Sequence, residues 1–159
     1  MRRPTSSPPA ALILATLVLV GLAPGAVAAP RPAVPEWATE FLHRWYLAFN
    51  QGDAAAVAAL FTTDARFATL EGRAAIEKGI AADFSQATYH CEGEYEGLRE
   101  LGSLAVGWGH ESCIEKPAGA PAGKRTHERW MLVFERQADG RWLLSRETYE
   151  LVAAPVGRE

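Results

Sequence analysis

Residues 88–116 read TYHCEGEYEGLRELGSLAVGWGHESCIEK, and the period of this stretch decides the fold class. The pattern drops from a helical repeat towards a repeat of two, which predicts strands. Leu101-Gly102-Ser103 predicts a turn, so residues 88–99 and 103–116 form an antiparallel hairpin. With the turn centred on Gly102, residues equally far from it lie opposite each other. Glu94 then faces His110, Glu92 faces Ser112 and Cys91 faces Cys113. Directly opposed residues have Cβ atoms about 4.5–5.5 Å apart, closer where the pair shares no backbone hydrogen bonds. A disulfide needs about 3.5–4.5 Å. A Cys91–Cys113 bridge is therefore expected.

Working downstream, residues 126–136 and 141–151 predict two more strands, turned at Asp139-Gly140. The connection Pro117–Gly123, rich in Pro, Ala and Gly, predicts a mobile loop. Upstream, Trp37, Phe41, Trp45, Ala48 and Phe49 form one apolar stripe, which predicts a helix over Glu36–Asn50. Asp53 suits the N-cap of a short helix, Ala54–Phe61. Thr62-Thr63-Asp64 predicts a turn and Ala65–Thr69 a short strand. Gly72 precedes a third helix, Arg73–Phe84, with Ile76, Ile80 and Phe84 four apart. Segregated helices and strands make an α+β fold. A strongly curved antiparallel sheet wrapped on the three helices encloses a pocket, and Gly93, Gly97, Gly107 and Gly109 supply the kinks.

The N-terminus has another composition. Arg2 and Arg3 precede the uncharged run Ala11–Ala23, and Ala26-x-Ala28 follows. That is the three-part pattern of a cleavable export signal. The expected organisation is a signal peptide over 1–28, a Pro-rich leader over 29–35, one domain over 36–152 and a C-terminal tail over 153–159. A secreted or periplasmic location is expected, with no stable membrane association after cleavage. Losing Arg2 and Arg3 takes the net charge from −3 to −5. An acidic domain without a basic stripe is not expected to bind nucleic acid.

Several segments resemble the nuclear transport factor 2-like superfamily. They are Trp45–Phe67, containing Asn50-Gln51-Gly52-Asp53 and Asp64-Ala65-Arg66-Phe67, then Gly72–Ile76, Gly102–Val106 and Asp139–Trp142. The nearest variety is similar to SnoaL-like and ketosteroid-isomerase-like domains, and the resemblance spans residues 36–151. It implies a cone with a mostly apolar pocket. It also implies, for isomerases of this kind, a tyrosine on the first helix, an acidic base near the end of the first strand and a second acid on a later strand. Ungapped placement puts those positions on Trp45, Thr69 and Trp130, none of which carries the needed chemistry.

If the family's inward face is followed, Val106, Trp108, His110 and Ser112 point into the pocket. Leu143, Ser145, Glu147 and Tyr149 then do so on the last strand. The expected ligand pocket is Trp45, Phe67, Trp108, Trp130 and Tyr149, with His110 and Glu147 as candidate catalytic groups. His110 beside Glu94 equally reads as a structural pair. The run Glu92, Glu94, Glu96 reads as a solvated strand face, and a glycine kink shifts the parity by one residue. His43, His90, His110 and His127 lack ligand spacing, so no metal is expected, and without a phosphate loop no cofactor. The expected function is binding of a small, partly apolar molecule. The alternatives are an isomerase, cyclase or hydratase using His110, and an interaction domain that forms a homodimer through its sheet.

Overall fold

The computed structural model describes residues 33–153. The expected signal peptide, most of the leader and nearly all of the tail lie outside the described residues. Helix α1 spans Glu36–Gln51 and buries Ala38, Phe41, Leu42, Trp45 and Ala48. It ends at Gly52 with φ 71°, a left-handed cap that glycine adopts without strain. Helix α2 covers only Ala54–Ala58, and its Asp53 cap accepts the Ala56 N–H at 2.9 Å.

Strand β1 follows at Phe61–Phe67 and β2 at Leu70–Glu71, before helix α3 at Arg73–Phe84. The expected longer helix over Ala54–Phe61 and the turn over 62–64 are thus corrected. β1 lies parallel to the last strand, and the Leu60 carbonyl accepts the Leu144 N–H at 2.9 Å. The Arg73 guanidinium also donates to the Phe61 carbonyl. Sheet pairing outcompetes a short helix whose next residues, Thr62 and Thr63, are β-branched.

Strands β3 (Ala87–Leu101), β4 (Leu104–Pro117), β5 (Lys124–Arg136) and β6 (Trp142–Val152) complete a six-stranded sheet in the order β2-β1-β6-β5-β4-β3. The sheet is curved and unclosed, the α+β cone expected from the sequence. Aromatic rings from α1 and the sheet fill its base. Phe41 meets Phe134 edge-on at 4.8 Å, and Trp45 meets Phe61 at 5.6 Å. Burying each such side chain stabilises the fold by roughly 1.5–3 kcal/mol.

The β3–β4 hairpin has the expected register as far as Tyr95: Cys91 faces Cys113, Glu92 faces Ser112 and Glu94 faces His110. The disulfide is formed. On the other side of Cys91, the Asn50 side chain donates to its carbonyl at 2.9 Å and accepts its N–H at 2.7 Å. A shift between Tyr95 and Gly97 then pairs Gly97 with Trp108.

The facing of β4 is the reverse of the expected one. Ala105, Gly107 and Gly109 are buried towards the helices, with Glu111 in line with them, while Val106, Trp108, His110 and Ser112 alternate to the outer face. The glycines are the reason. A Cβ on Gly109 would stand 2.5 Å from the Trp130 ring, and one on Gly107 would stand 2.6 Å from Tyr95. Neighbouring rings fill the space these glycines leave. Trp108 does the same outside, lying over Gly97. On β6 an irregularity in the pairing with β5 sends Leu144 inward with the buried Ser145, in place of Leu143.

Candidate functional site

The inner face of β4 to β6 carries three carboxylates, and α1 and β3 bring a tyrosine each beside them. Glu111 on β4 and Glu128 on β5 are directly opposite each other. One step along the strands, Gly109, Trp130 and Tyr149 form a row. A further step brings Gly107, Leu132 and Glu147 into line. Tyr46 reaches down from α1 and donates its hydroxyl to Glu111 Oε2 at 3.0 Å. Gly93 makes that reach possible, because a Cβ there would collide with the Tyr46 oxygen. Tyr95 on β3 lies edge-on to Trp130 at 5.0 Å. Its hydroxyl and Glu147 Oε2 are buried with no hydrogen-bond partner.

The carboxyl groups titrate abnormally because they are buried together. Burial first, and then the neighbouring Glu128, push Glu111 from 4.5 up to about 7, against the Tyr46 hydrogen bond that favours its charged form. Glu147 is raised well above the usual carboxylate range, by burial and then by repulsion from Glu111 and Glu128. Burial also raises Glu128, opposed by its hydrogen bond with Glu111. The two tyrosines rise for the same reason: Tyr46 by burial and then by Glu111, Tyr95 by burial and then by Glu147. Carboxyls this close share protons, so Glu111 and Glu128 titrate as a pair. Burial and its acidic neighbours favour the protonated form of Glu147, and Glu111, near 7, stands at the midpoint of its titration at neutral pH.

Two spaces flank the cluster. A small cavity of about 10 Å³, room for one water, is lined by residues that include Trp45, Tyr46, Glu111, Trp130 and Glu147. An open groove of about 640 Å³ runs between α1 and β3, over Leu42, His43, Tyr46, Leu47, Glu94 and Tyr95. Leu42 and Tyr46 face both spaces.

Of the residues expected at the site, the structure brings Trp45, Trp130 and Glu147 together around the inner cavity. Phe67 packs beside them against Trp45 at 6.1 Å, and Tyr149 lies 6.3 Å from Phe67 but is 44% exposed. Trp108 and His110 are not among them. The His110 ring is half exposed outside, 3.8 Å from Glu94 and 3.3 Å from Glu96, so it cannot act on a molecule in the cone. Tyr46, Tyr95, Glu111 and Glu128 were missed. The glycines opposite large aromatics, Gly109 facing Trp130 above all, were the sequence feature that would have placed Glu111 inside. Among the described residues no group of three or more His, Cys, Asp or Glu side chains is arranged to hold a metal ion.

A curved sheet over three helices defines this chain as a nuclear transport factor 2-like cone. The SnoaL-like domain family model matches residues 42–144, and the chain belongs to that family. No curated protein is significantly similar to it in sequence. Among solved structures it is similar to a conserved protein from Planctomyces limnophilus, with 18% identity and a TM-score of 0.66 over 72% of this chain and 94% of that one. It is also similar to a ketosteroid isomerase-like protein from Erwinia carotovora atroseptica, with 15% identity and a TM-score of 0.65 over 73% and 94%. A third is a nuclear transport factor 2-like superfamily protein from Salmonella enterica serovar Typhimurium, with 14% identity and a TM-score of 0.65 over 77% and 94%. At such identities the likeness is one of fold.

Proposed function

We propose that this chain is an exported domain that binds a small, partly apolar molecule, with Tyr46, Glu111 and Glu147 as the polar end of its site. The observation that carries this reading is Glu147 Oε2, buried and unpartnered beside a Tyr46–Glu111 hydrogen bond. Enclosing carboxyl groups without partners is unfavourable by several kcal/mol for each charged form, so a purely structural role leaves the cluster unexplained. The groove supplies a volume typical of ligand sites and shares Tyr46 with the cluster. The Cys91–Cys113 bridge supports the export part of the reading, because disulfides persist in oxidising compartments.

The test is native mass spectrometry on protein recovered from outside the cytoplasm. A bound small molecule is expected in the wild type and is lost in Tyr46→Phe and Glu111→Gln. Retention of the same molecule by both variants would overturn the assignment of the site. N-terminal sequencing of that material should begin at Ala29, and a protein starting at Met1 would remove export.

A second reading is proton transfer. It is favoured by one observation, the position of Glu111 near 7, where a group both accepts and donates at neutral pH. Chemistry through His110 is not part of it. The homodimer expected from the sequence draws support from the outer face of β4 and β5, where Leu104 and Met131 are exposed. Sedimentation equilibrium, with Met131→Glu as the control, tests that assembly.

A further inference from the structure

The polar end of the site is acidic throughout. Glu111, Glu128 and Glu147 converge from three adjacent strands, and none is in a salt bridge among the described residues. The basic side chains Arg125 and Arg129 of β5 alternate away from Glu128 and Trp130, to the outer face, where Arg125 donates to Ser112. Two further groups point to a missing partner: Glu147 Oε2 and the Tyr95 hydroxyl, both buried and unpaired. Aromatic side chains line the cavity beside the carboxyls. Tyr95 and Trp130 meet edge-on, and Trp45 and Tyr46 line the same cavity as Glu111 and Glu147.

We infer that the ligand carries a protonated amine, whose ammonium group enters the small cavity between Glu111 and Glu147 while its apolar remainder lies along the groove between α1 and β3. This rests on the small-molecule reading and names the ligand class within it. An ammonium donates up to three hydrogen bonds and accepts none, which suits a set of acceptor oxygens. Aromatic faces add a cation–π attraction that strengthens where water is excluded. A carboxylate or other anion would meet repulsion from each carboxyl of the cluster that is charged. A neutral alcohol would satisfy one oxygen and leave the charge of the others unanswered.

The charged and titratable groups facing this position are Tyr46 from α1, Tyr95 from β3, Glu111 from β4, Glu128 from β5 and Glu147 from β6, with His43 and Glu94 on the groove side. The buried carboxyls, raised by their enclosure, hold protons that an arriving cation displaces. The amine enters already protonated, the carboxyl proton passes to the buffer, and binding therefore releases protons. An oxyanion ligand would require the opposite, because it needs every acid in its protonated form.

Isothermal titration of the full exported protein at pH 7, in two buffers of different ionisation heat, tests this with three probes of similar size: phenethylamine, phenethyl alcohol and hydrocinnamate. The amine should bind at least about tenfold more tightly than the alcohol, a difference of about 1.4 kcal/mol. It should release protons, and hydrocinnamate should not bind. Glu147→Gln should collapse the preference for the amine. Where that variant does not fold by circular dichroism, the proton count of the wild type decides alone. Equal binding of alcohol and amine, or proton uptake, overturns the amine inference and leaves the small-molecule reading standing. Failure of all three probes on folded wild-type protein overturns the inference, while the mass-spectrometric test still judges the small-molecule reading.

Discussion

Glu94 and Glu96 lie on the outer face of the sheet, in solvent, on either side of a half-exposed His110. Glu111 and Glu128 lie on the inner face, one hydrogen-bonded to Tyr46 and the pair facing each other without a cation. The strands are neighbours and the residue type is the same. What differs is which side of the pleat each side chain takes. Outside, water screens the pair and an ion contact contributes at most about 1 kcal/mol. Inside, the same group becomes a proton store. A histidine with two carboxylates is therefore a weak pointer to a site, and two carboxylates with no cation are a stronger one.

The largest expected contrast between the faces is steric. Trp130→Ala empties the inner face over Gly109 and should destabilise the fold by about 3–5 kcal/mol. Trp108→Ala, on the outer face over Gly97, should lose less than half of that. Urea denaturation of both variants measures it, and equal losses would break the comparison.

Next comes the pH dependence. Burial raises Glu111 from 4.5 to about 7, so the folded state keeps a proton that the unfolded chain releases. That contribution is fully present below the ordinary carboxylate range and is lost as the pH rises to about 7. It amounts to about 3 kcal/mol, with Glu147 acting in the same direction. Glu111→Gln should remove the Glu111 share of this fall, about 3 kcal/mol between pH 4.5 and pH 8, while Glu94→Gln should leave it unchanged. Thermal melts across that range read the result, and identical profiles for the two variants would contradict the proton store.

The cystine should matter somewhat less. Replacing both Cys91 and Cys113 by Ser should lower stability by about 2 kcal/mol, towards the lower end for such loops because the hairpin is already ordered by its sheet partners. Adding reductant to the double variant should change nothing further. The smallest effect belongs to His110→Ala, expected within about 0.5 kcal/mol and without consequence for ligand binding. A loss of binding there would return the outer face to consideration.

Much of this architecture was legible before the structure. The apolar stripe of α1 and the hairpin about Gly102 followed from period and turn chemistry alone, and the cysteine pairing followed from the register. The site was not legible, for a reason that lies in two glycines. Following the family's inward face on β4 turns Trp108 and His110 towards the cone. Gly107 and Gly109 reverse that parity, because rings from β3 and β5 occupy the space beside them. Once the parity turns, Glu111 enters the cone and His110 leaves it. Tyr46 escaped for a related reason. It stands one position beyond Trp45, off the centre of the apolar stripe, and only the three-dimensional path over Gly93 shows that it reaches a carboxylate.

Strand β3 is an edge of the sheet, and an edge leaves alternate N–H and carbonyl groups open to another chain. At Cys91 that opening is closed by Asn50, whose amide presents the donor and acceptor a further strand would offer. The bracket blocks edge-to-edge aggregation at the residue that also holds the cystine. It gives the Cys91 amide an unusual meaning in hydrogen exchange. Its protection reports whether the end of α1 remains docked and is independent of sheet opening, so slow exchange at that one edge amide is a direct gauge of helix detachment.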